Sequence, residues 1–277
     1  MDNIKPIFFK NNSSIPIWFL RQAGRHIPEY FELRSKADNF INFCLNTELI
    51  VKSTKLPLKY YDIDAAIVFS DILMVPWAMD RNVHFIKGFG PSLDPMIPGE
   101  TKILKNIDIL NKLKPLQRSI SVLKTELPKE KKLIGFAGAP WTLACYMIEG
   151  QGSKDFINTR KALWNSNKWF MELLEELSVN IVNKLEMQAN AGADILMIFD
   201  SWSHMIPNNF FKECCIKPTA NIINMLRKKN VFKPIIGFPF KAGSSLINYS
   251  YESNVDCIAL DWTVNLHWAK KNINSSV

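Results

Sequence analysis

ADILMIFDSW, residues 193–202, contains five consecutive apolar residues and then the polar pair Asp200 and Ser201. A short run that is apolar throughout is typical of a parallel strand buried on both faces. Five further runs repeat the pattern: IPIWFL (15–20), AAIVF (65–69), LIGFA (133–137), PIIGF (234–238) and CIAL (257–260). Longer stretches with helical character lie between them, over residues 47–61, 105–127, 161–189 and 208–229. This alternation predicts an α/β fold with a parallel sheet.

Polar side chains or glycines follow nearly every predicted strand. They are Arg21, Ser70, Asp71, Gly138, Asp200, Ser201, Lys241, Gly243 and Asp261. Barrels and doubly wound sheets both place their sites at the carboxyl ends of parallel strands. A doubly wound sheet is favoured by a GxGxxG or GxxxxGK[ST] motif, and GFAGAP (135–140) has the spacing of neither. We therefore expect a barrel, although six strands are predicted where a closed (β/α)8 barrel needs eight.

The composition indicates a globular protein with an acidic partner. The chain has 277 residues, 47% of them hydrophobic, and a formal net charge of +8. The basic runs KEKK (129–132) and RKK (227–229) precede strands. We expect them to be solvent-exposed ends of helices or loops, not a nucleic-acid surface. The sequence shows neither a signal peptide nor a membrane span, which needs about 18 apolar residues. Five cysteines without repeated spacing argue against a disulfide framework and favour a cytoplasmic protein.

Two arginines and one aspartate are the first candidates for a site. Arg21 and Arg25 flank a glycine in RQAGR, and paired guanidinium groups bind carboxylate or phosphate. The alternative is a pair of surface arginines. Asp71 follows a predicted buried strand, where a carboxylate is costly without partners. Such a residue is often functional, but it is equally compatible with a helix cap or a structural ion pair.

Tyr146 and Ser201 are weaker candidates on local grounds. A tyrosine on a helix usually serves packing, and Ser201 lacks the G-x-S-x-G context of a nucleophile, so a helix-capping role is the simpler interpretation. The four histidines show no H-x-x-H or H-E-x-x-H spacing. We therefore expect no metal site.

Six sequence blocks together resemble the uroporphyrinogen decarboxylase family. They are PIWFLRQAGRHIPEY (16–30), AAIVFSDIL (65–73), GFAGAPWTLACYMIEG (135–150), ADILMIFDSW (193–202), PIIGFP (234–239) and ALDWTV (259–264). The blocks occur in the family's order and cover essentially the whole chain. RQAGR, FSDIL and GAPWTLACYMIEG form a very specific combination.

The resemblance implies a (β/α)8 TIM barrel and a decarboxylase that uses no cofactor. The family removes the four acetate carboxylates of uroporphyrinogen to give coproporphyrinogen in haem biosynthesis, and its members are typically cytoplasmic homodimers. The substrate carries eight carboxylates, which would give the +8 charge a partner. Carried over by position, the substrate-binding residues are Arg21, Gln22, Ala23, Gly24, Arg25, Phe40, Asp71, Tyr146 and Ser201. Asp71 and Arg21 are the expected catalytic residues.

The chain departs from the family pattern in several places. Asp80 stands where the family usually has glycine, and Ser203 and His204 replace an Ala-Gly pair. After ALDWTV the family continues with a GNLDP-like strand and a substrate-contacting histidine, whereas this sequence stops at NINSSV. We therefore expect a single barrel domain over residues 1–277 that lacks the last two β/α units, with weakened activity. Two alternatives stay open: an inactive remnant that binds tetrapyrrole, and a zinc-dependent methyltransferase relative with the same barrel.

Overall fold

The computed structural model describes residues 15–86, 88–99 and 108–277. The segment 1–14, where a signal peptide would lie, and residues 105–107 of one predicted helix fall outside the described residues. The strands are β1 (Ala65–Ile67), β2 (His84–Ile86), β3 (Gly90–Ser92), β4 (Lys132–Gly138), β5 (Ile195–Asp200), β6 (Ile235–Pro239) and β7 (Cys257–Ile258).

Twelve α-helices accompany these strands in the described part of the chain. They are α1 (Pro28–Arg34), α2 (Phe40–Cys44), α3 (Thr47–Lys55), α4 (Met74–Ala78), α5 (Ile109–Lys112), α6 (Lys114–Glu126), α7 (Pro140–Glu149), α8 (Ile157–Asn165), α9 (Asn167–Ala191), α10 (Lys217–Lys228), α11 (Leu246–Glu252) and α12 (Leu266–Asn272). A turn of π-helix, Lys212–Ile216, leads directly into α10.

Five of the strands form one parallel sheet in the order β1-β4-β5-β6-β7. This confirms the α/β class and five of the six predicted strands. The longer central strands, β4 to β6, consist almost entirely of buried residues, as their unbroken apolar sequences predict. Within the described residues, β1 and β7 do not pair with each other, so the sheet has two edges.

Three aspartates organise the amino-terminal end of this sheet. Asp194 accepts a hydrogen bond from the Leu133 amide at the start of β4, and Asp256 accepts one from the Ile235 amide at the start of β6. Asp64 accepts one from the Ile17 amide. Asp194 and Asp256 each satisfy a backbone donor that the ladder leaves unpaired at a strand start, whereas Asp64 binds the irregular segment that contains Ile17. These carboxylates therefore serve the fold, and the candidate site lies at the opposite end.

The longest helix, α9, packs against β4 and against α6, α7 and α10. Its core face is apolar except for a few polar side chains, among them the fully buried Lys184 and Gln188. Because they are four residues apart, these two side chains lie on the same face of the helix. The helix thus places the side chains of Lys184 and Gln188 against the sheet, near the carboxyl ends of the strands.

The prediction of a strand over residues 15–20 is wrong. This segment is irregular, and Ile15 and Ile17 are 83% and 57% exposed, so its apolar residues do not fill the core. The sequence analysis also missed the antiparallel hairpin of β2 and β3. All five cysteines are free thiols, and four of them are buried. In the described ranges no helix is long and apolar enough to cross a membrane.

Candidate active site

Three aspartates follow strands of the parallel sheet, but they have different surroundings. Asp261 accepts bonds from the Lys241 and Thr263 amides and so connects the segments after β6 and β7. Asp200, at the end of β5, is buried and accepts a 2.6 Å bond from the Thr142 hydroxyl. Asp71, beyond β1, is partly exposed. Of the three, Asp71 is the one residue that is not classed as buried.

The Asp71 carboxylate is held by its own turn. The Leu73 amide donates a 2.8 Å bond to Oδ1, which fixes the carboxylate just before α4. Burial raises the pKa of Asp71, while the Leu73 amide and the charge of Lys184 act in the opposite direction. Asp71 is therefore not the helix cap that the sequence allowed, because the N-cap residue of α4 is Leu73 and no side chain caps this helix. Its bond with the Leu73 amide is a local turn that orients the carboxylate.

Tyr146 lies close enough to Asp71 for the two to interact electrostatically. Burial raises the pKa of Tyr146, and the negative charge of Asp71 adds to this effect. The Tyr146 ring meets the ring of Trp202 edge-on, with centroids 6.1 Å apart. Tyr146 is therefore a neutral phenol, which is able to donate a hydrogen bond to a carboxylate.

Helix α7 fixes the turn that carries Ser201. The Trp141 indole donates a 2.9 Å bond to the Trp202 carbonyl, and the Trp202 amide donates a 3.1 Å bond to the Thr142 hydroxyl. Ser201 lies between Asp200 and Trp202 and is partly exposed at the end of β5. The next short helix starts at Ser203, so the capping role suggested for Ser201 is not what the structure shows.

The RQAGR segment is attached to the edge of β1 through Gln22. Its side-chain amide donates a 2.9 Å bond to the Ala65 carbonyl, and its carbonyl oxygen accepts a 3.1 Å bond from the Ile67 amide. Gln22 is buried, whereas Ala23 and Gly24 are partly exposed and Arg21 and Arg25 are exposed. The segment thus presents two free guanidinium groups beside the strand that leads to Asp71.

Aromatic rings complete the surroundings. Phe40 packs against Phe69, two residues before Asp71, with ring centroids 6.1 Å apart. On successive strands, the Phe136 and Phe199 rings have centroids 5.4 Å apart, and those of Phe199 and Phe238 are 6.1 Å apart. Phenylalanines of β4, β5 and β6 thus form a row of contacting rings, in which Phe199 is partly exposed and the other two are buried.

The structure thus places Tyr146 within electrostatic range of Asp71, and Ser201 directly precedes Trp202, whose ring contacts that of Tyr146. Phe40 contacts Phe69, which lies two residues before Asp71. Gln22 fixes the RQAGR segment to β1. Sequence reasoning missed Lys184, the Phe199–Phe238 contact and the structural role of Gln22. A charged residue within the long apolar face of α9 was the one sequence signal for Lys184.

A parallel sheet with acidic and aromatic residues at the carboxyl ends of its strands is typical of α/β proteins, barrels and doubly wound sheets alike. The family model described as uroporphyrinogen decarboxylase (URO-D) matches residues 9–277. The chain is 41% identical over 256 residues to the uroporphyrinogen decarboxylase of Chelativorans sp. (strain BNC1), covering 92% of this chain and 75% of that relative. It is 40% identical over 253 residues to that of Maricaulis maris (strain MCS10), covering 91% and 73%. The chain belongs to the uroporphyrinogen decarboxylase family.

A methyltransferase from Methanosarcina mazei has a similar structure, with a TM-score of 0.76 over 96% of this chain and 77% of that chain. The sequence identity is 13%, so this likeness concerns the fold. Across the described ranges, no group of three or more His, Cys, Asp or Glu side chains is arranged to hold a metal ion.

Proposed function

We propose that the chain binds uroporphyrinogen and removes its acetate carboxylates, releasing carbon dioxide and forming coproporphyrinogen. The family and its relatives support the reaction. The observation that carries the proposal is the position of Asp71, a carboxylate oriented by the Leu73 amide beyond the carboxyl end of β1, within electrostatic range of Tyr146. A pyrrole macrocycle presents N–H groups towards its centre, and one central carboxylate is able to accept several of them.

The reaction needs no external electron sink, because the pyrrole ring supplies one. A proton adds to the ring carbon next to the one that bears the acetate, and the ring becomes cationic. The electron pair of the bond between methylene and carboxylate then flows into the ring, and carbon dioxide leaves. A second proton converts the exocyclic methylene to a methyl group, and the ring releases the first proton. Overall, one acetate and one proton give one methyl group and one carbon dioxide.

Asp71 would lower the barrier by stabilising the cationic ring. A fixed negative charge in a partly buried site acts most strongly where positive charge develops in the transition state. The carboxylate would bind the pyrrole N–H groups before and after protonation. Each of the four acetates then meets the same charge when the macrocycle is bound in a new orientation.

The carboxylates of the substrate need cationic and hydrogen-bonding partners around this centre. Arg21 and Arg25 are exposed and would pair with them, while Gln22 holds the segment against β1. Tyr146 and Ser201 would donate hydrogen bonds, and Phe40 with the Ala23–Gly24 backbone would complete the wall. We also propose that Arg21 participates in proton delivery. These roles follow from matching the positions to the family pattern.

The proposal extends to the organisation of the chain. One hydrophobic cluster contains buried residues from β1, β4, β5 and β6 and from the helices packed on them, which supports a single domain. The family resemblance supports a homodimer, which sedimentation equilibrium would test: a mass near 31.8 kDa would contradict it.

The direct test is anaerobic incubation of the purified chain with uroporphyrinogen III. Products are oxidised and separated by their number of carboxylates. We expect porphyrins with seven, six, five and four carboxylates to appear in sequence, with one carbon dioxide per step. Tetrapyrrole binding without any loss of carboxylate would contradict decarboxylation and would indicate a binding protein.

A further inference from the structure

Lys184 is a fully buried cation at the base of the candidate site. It extends from α9, it is 0% exposed, and its Nζ donates a 3.4 Å bond to the Asp71 carbonyl. The same Nζ lies 5.4 Å from the centroid of the Phe136 ring. No other hydrogen bond of this ammonium group is present among the described residues.

This arrangement is expensive for the fold. An ammonium group has three donors, and one long bond with one aromatic face replaces its water only in part. An apolar side chain of similar shape would cost less at this position. Because so few contacts compensate for the burial of this charge, a role in the candidate site explains Lys184 better than a contribution to stability does.

Gln188 lies one turn further along the same helix, and its hydrogen bonds mark one side of the space into which Lys184 extends. Its amide donates a 2.9 Å bond to the Phe136 carbonyl, and its oxygen accepts a 2.8 Å bond from the Phe136 amide. These backbone groups lie just beyond the last paired residues of β1 and β4, Ile67 and Ile134. The Gln188 amide therefore takes the place of the departing strand, and Lys184 points into the space where the two strands diverge.

Several titratable groups interact electrostatically around this space. Asp71 and Lys184 interact with each other and with Cys44 of α2, and Asp71 also interacts with Tyr146. Arg34 of α1 also acts on Cys44. Burial raises the pKa of Cys44 well above its ordinary value and raises that of Tyr146. Both are therefore neutral near pH 7. Burial lowers the pKa of Lys184 to about 8, which leaves it mostly protonated at pH 7.

We propose that Lys184 is a positioning residue that keeps Asp71 ionised and fixed for catalysis. Its ammonium group holds the Asp71 backbone through the carbonyl, and its positive charge acts on the Asp71 carboxylate through space. The role in catalysis rests on the proposed function, whereas the charge coupling between the two side chains does not. Asp71 touches the substrate, and Lys184 acts through it.

The test measures the titration of Asp71 directly. Protein labelled with 13C at the aspartate carboxyl carbons is titrated by NMR, and the Asp71 signal is assigned with Asp71→Asn. Lys184→Met keeps the length of the side chain and removes the charge. Lys168→Met is the matched control, because Lys168 lies on the same helix and is exposed. We expect the Asp71 titration to move to higher pH in Lys184→Met and to remain unchanged in Lys168→Met.

Kinetics provide the second measurement. If the chain decarboxylates uroporphyrinogen, Lys184→Met should lower kcat more than it changes KM, and the acid limb of the pH–rate profile should move to higher pH. An unchanged Asp71 titration in folded Lys184→Met would overturn the proposal. If the unsubstituted chain shows no turnover, the proposed function fails, while the NMR titration still tests the coupling. If neither Lys184→Met nor Lys184→Gln folds, the ammonium group is required by the fold and the proposal is also overturned.

Discussion

The side-chain amide of Gln22 donates a 2.9 Å hydrogen bond to the carbonyl of Ala65, 43 residues further along the chain. Val68 pairs with β4 through its amide, so the alternate positions Ala65 and Ile67 face the other edge of β1. Gln22 therefore occupies backbone groups on the open edge of the sheet. The same two bonds fix the segment that carries Arg21 and Arg25.

Gln22→Leu should damage both stability and substrate binding. Two buried backbone groups lose their partners, and each unpaired group costs about 1–3 kcal/mol. The loosened arginine segment should raise KM for uroporphyrinogen with a smaller effect on kcat. Thermal unfolding and steady-state kinetics measure the two effects. Gln117→Leu on the exposed face of α6 is the control, and an identical melting temperature and KM in both variants would contradict this role for Gln22.

Arg25→Ala should weaken binding of the polycarboxylate. A hydrogen bond to a charged group contributes about 1.5–3 kcal/mol, which corresponds to roughly a 10- to 150-fold loss of affinity. The loss should be larger at low salt, because screening weakens exposed charge pairs. Fluorescence titration with uroporphyrin at two salt concentrations measures it. Arg118→Ala removes an exposed arginine elsewhere, and equal affinities of the two variants at both salt concentrations would argue against a carboxylate clamp.

Asp200→Asn should stabilise the protein near neutral pH. Burial raises the pKa of Asp200 from 3.8 to about 6, so the folded chain binds a proton that the unfolded chain has already released. The cost of burying the charge is absent below about pH 4, grows as the pH rises through 6, and is complete above it. It corresponds to about 3 kcal/mol. Asparagine keeps an oxygen that accepts the bond from Thr142.

Urea unfolding between pH 4 and pH 8 measures this effect. The free energy of unfolding should be higher for Asp200→Asn at pH 8, and the difference should shrink towards zero near pH 4. Asp38→Asn removes an exposed carboxylate and is expected to show no such trend. A constant difference across this pH range would be inconsistent with a buried, titrating Asp200.

The sequence predicted the central sheet because β4, β5 and β6 are apolar on both faces. The rule that an apolar run forms a buried strand failed for IPIWFL (15–20), whose apolar side chains are largely exposed. Hydrophobicity alone does not show whether a segment has a neighbouring strand with which to pair. The hairpin of β2 and β3 has three residues in each strand, too few to show a period.

At the site, the motifs located Asp71 and Tyr146, whereas the partners of Gln22 and Lys184 lie 43 and 113 residues away. Such long-range pairs depend on how the helices pack onto the sheet. No local pattern specifies them. The resemblance therefore gave the list of candidate residues, and the structure gives the contacts that hold Asp71 and Gln22 in place.

The central claim is that the Asp71 charge stabilises a cationic pyrrole. Its most direct test is the decarboxylation rate of Asp71→Asn under anaerobic single-turnover conditions, with Asp62→Asn as the control at a fully exposed carboxylate that pairs with Lys131. Asparagine preserves the size and the acceptor for Leu73 but removes the charge. We expect a rate about 10²-fold lower or more for Asp71→Asn, as for other lost electrostatic groups, with a native melting temperature and retained uroporphyrin binding. A folded Asp71→Asn protein that decarboxylates as fast as Asp62→Asn would contradict the account.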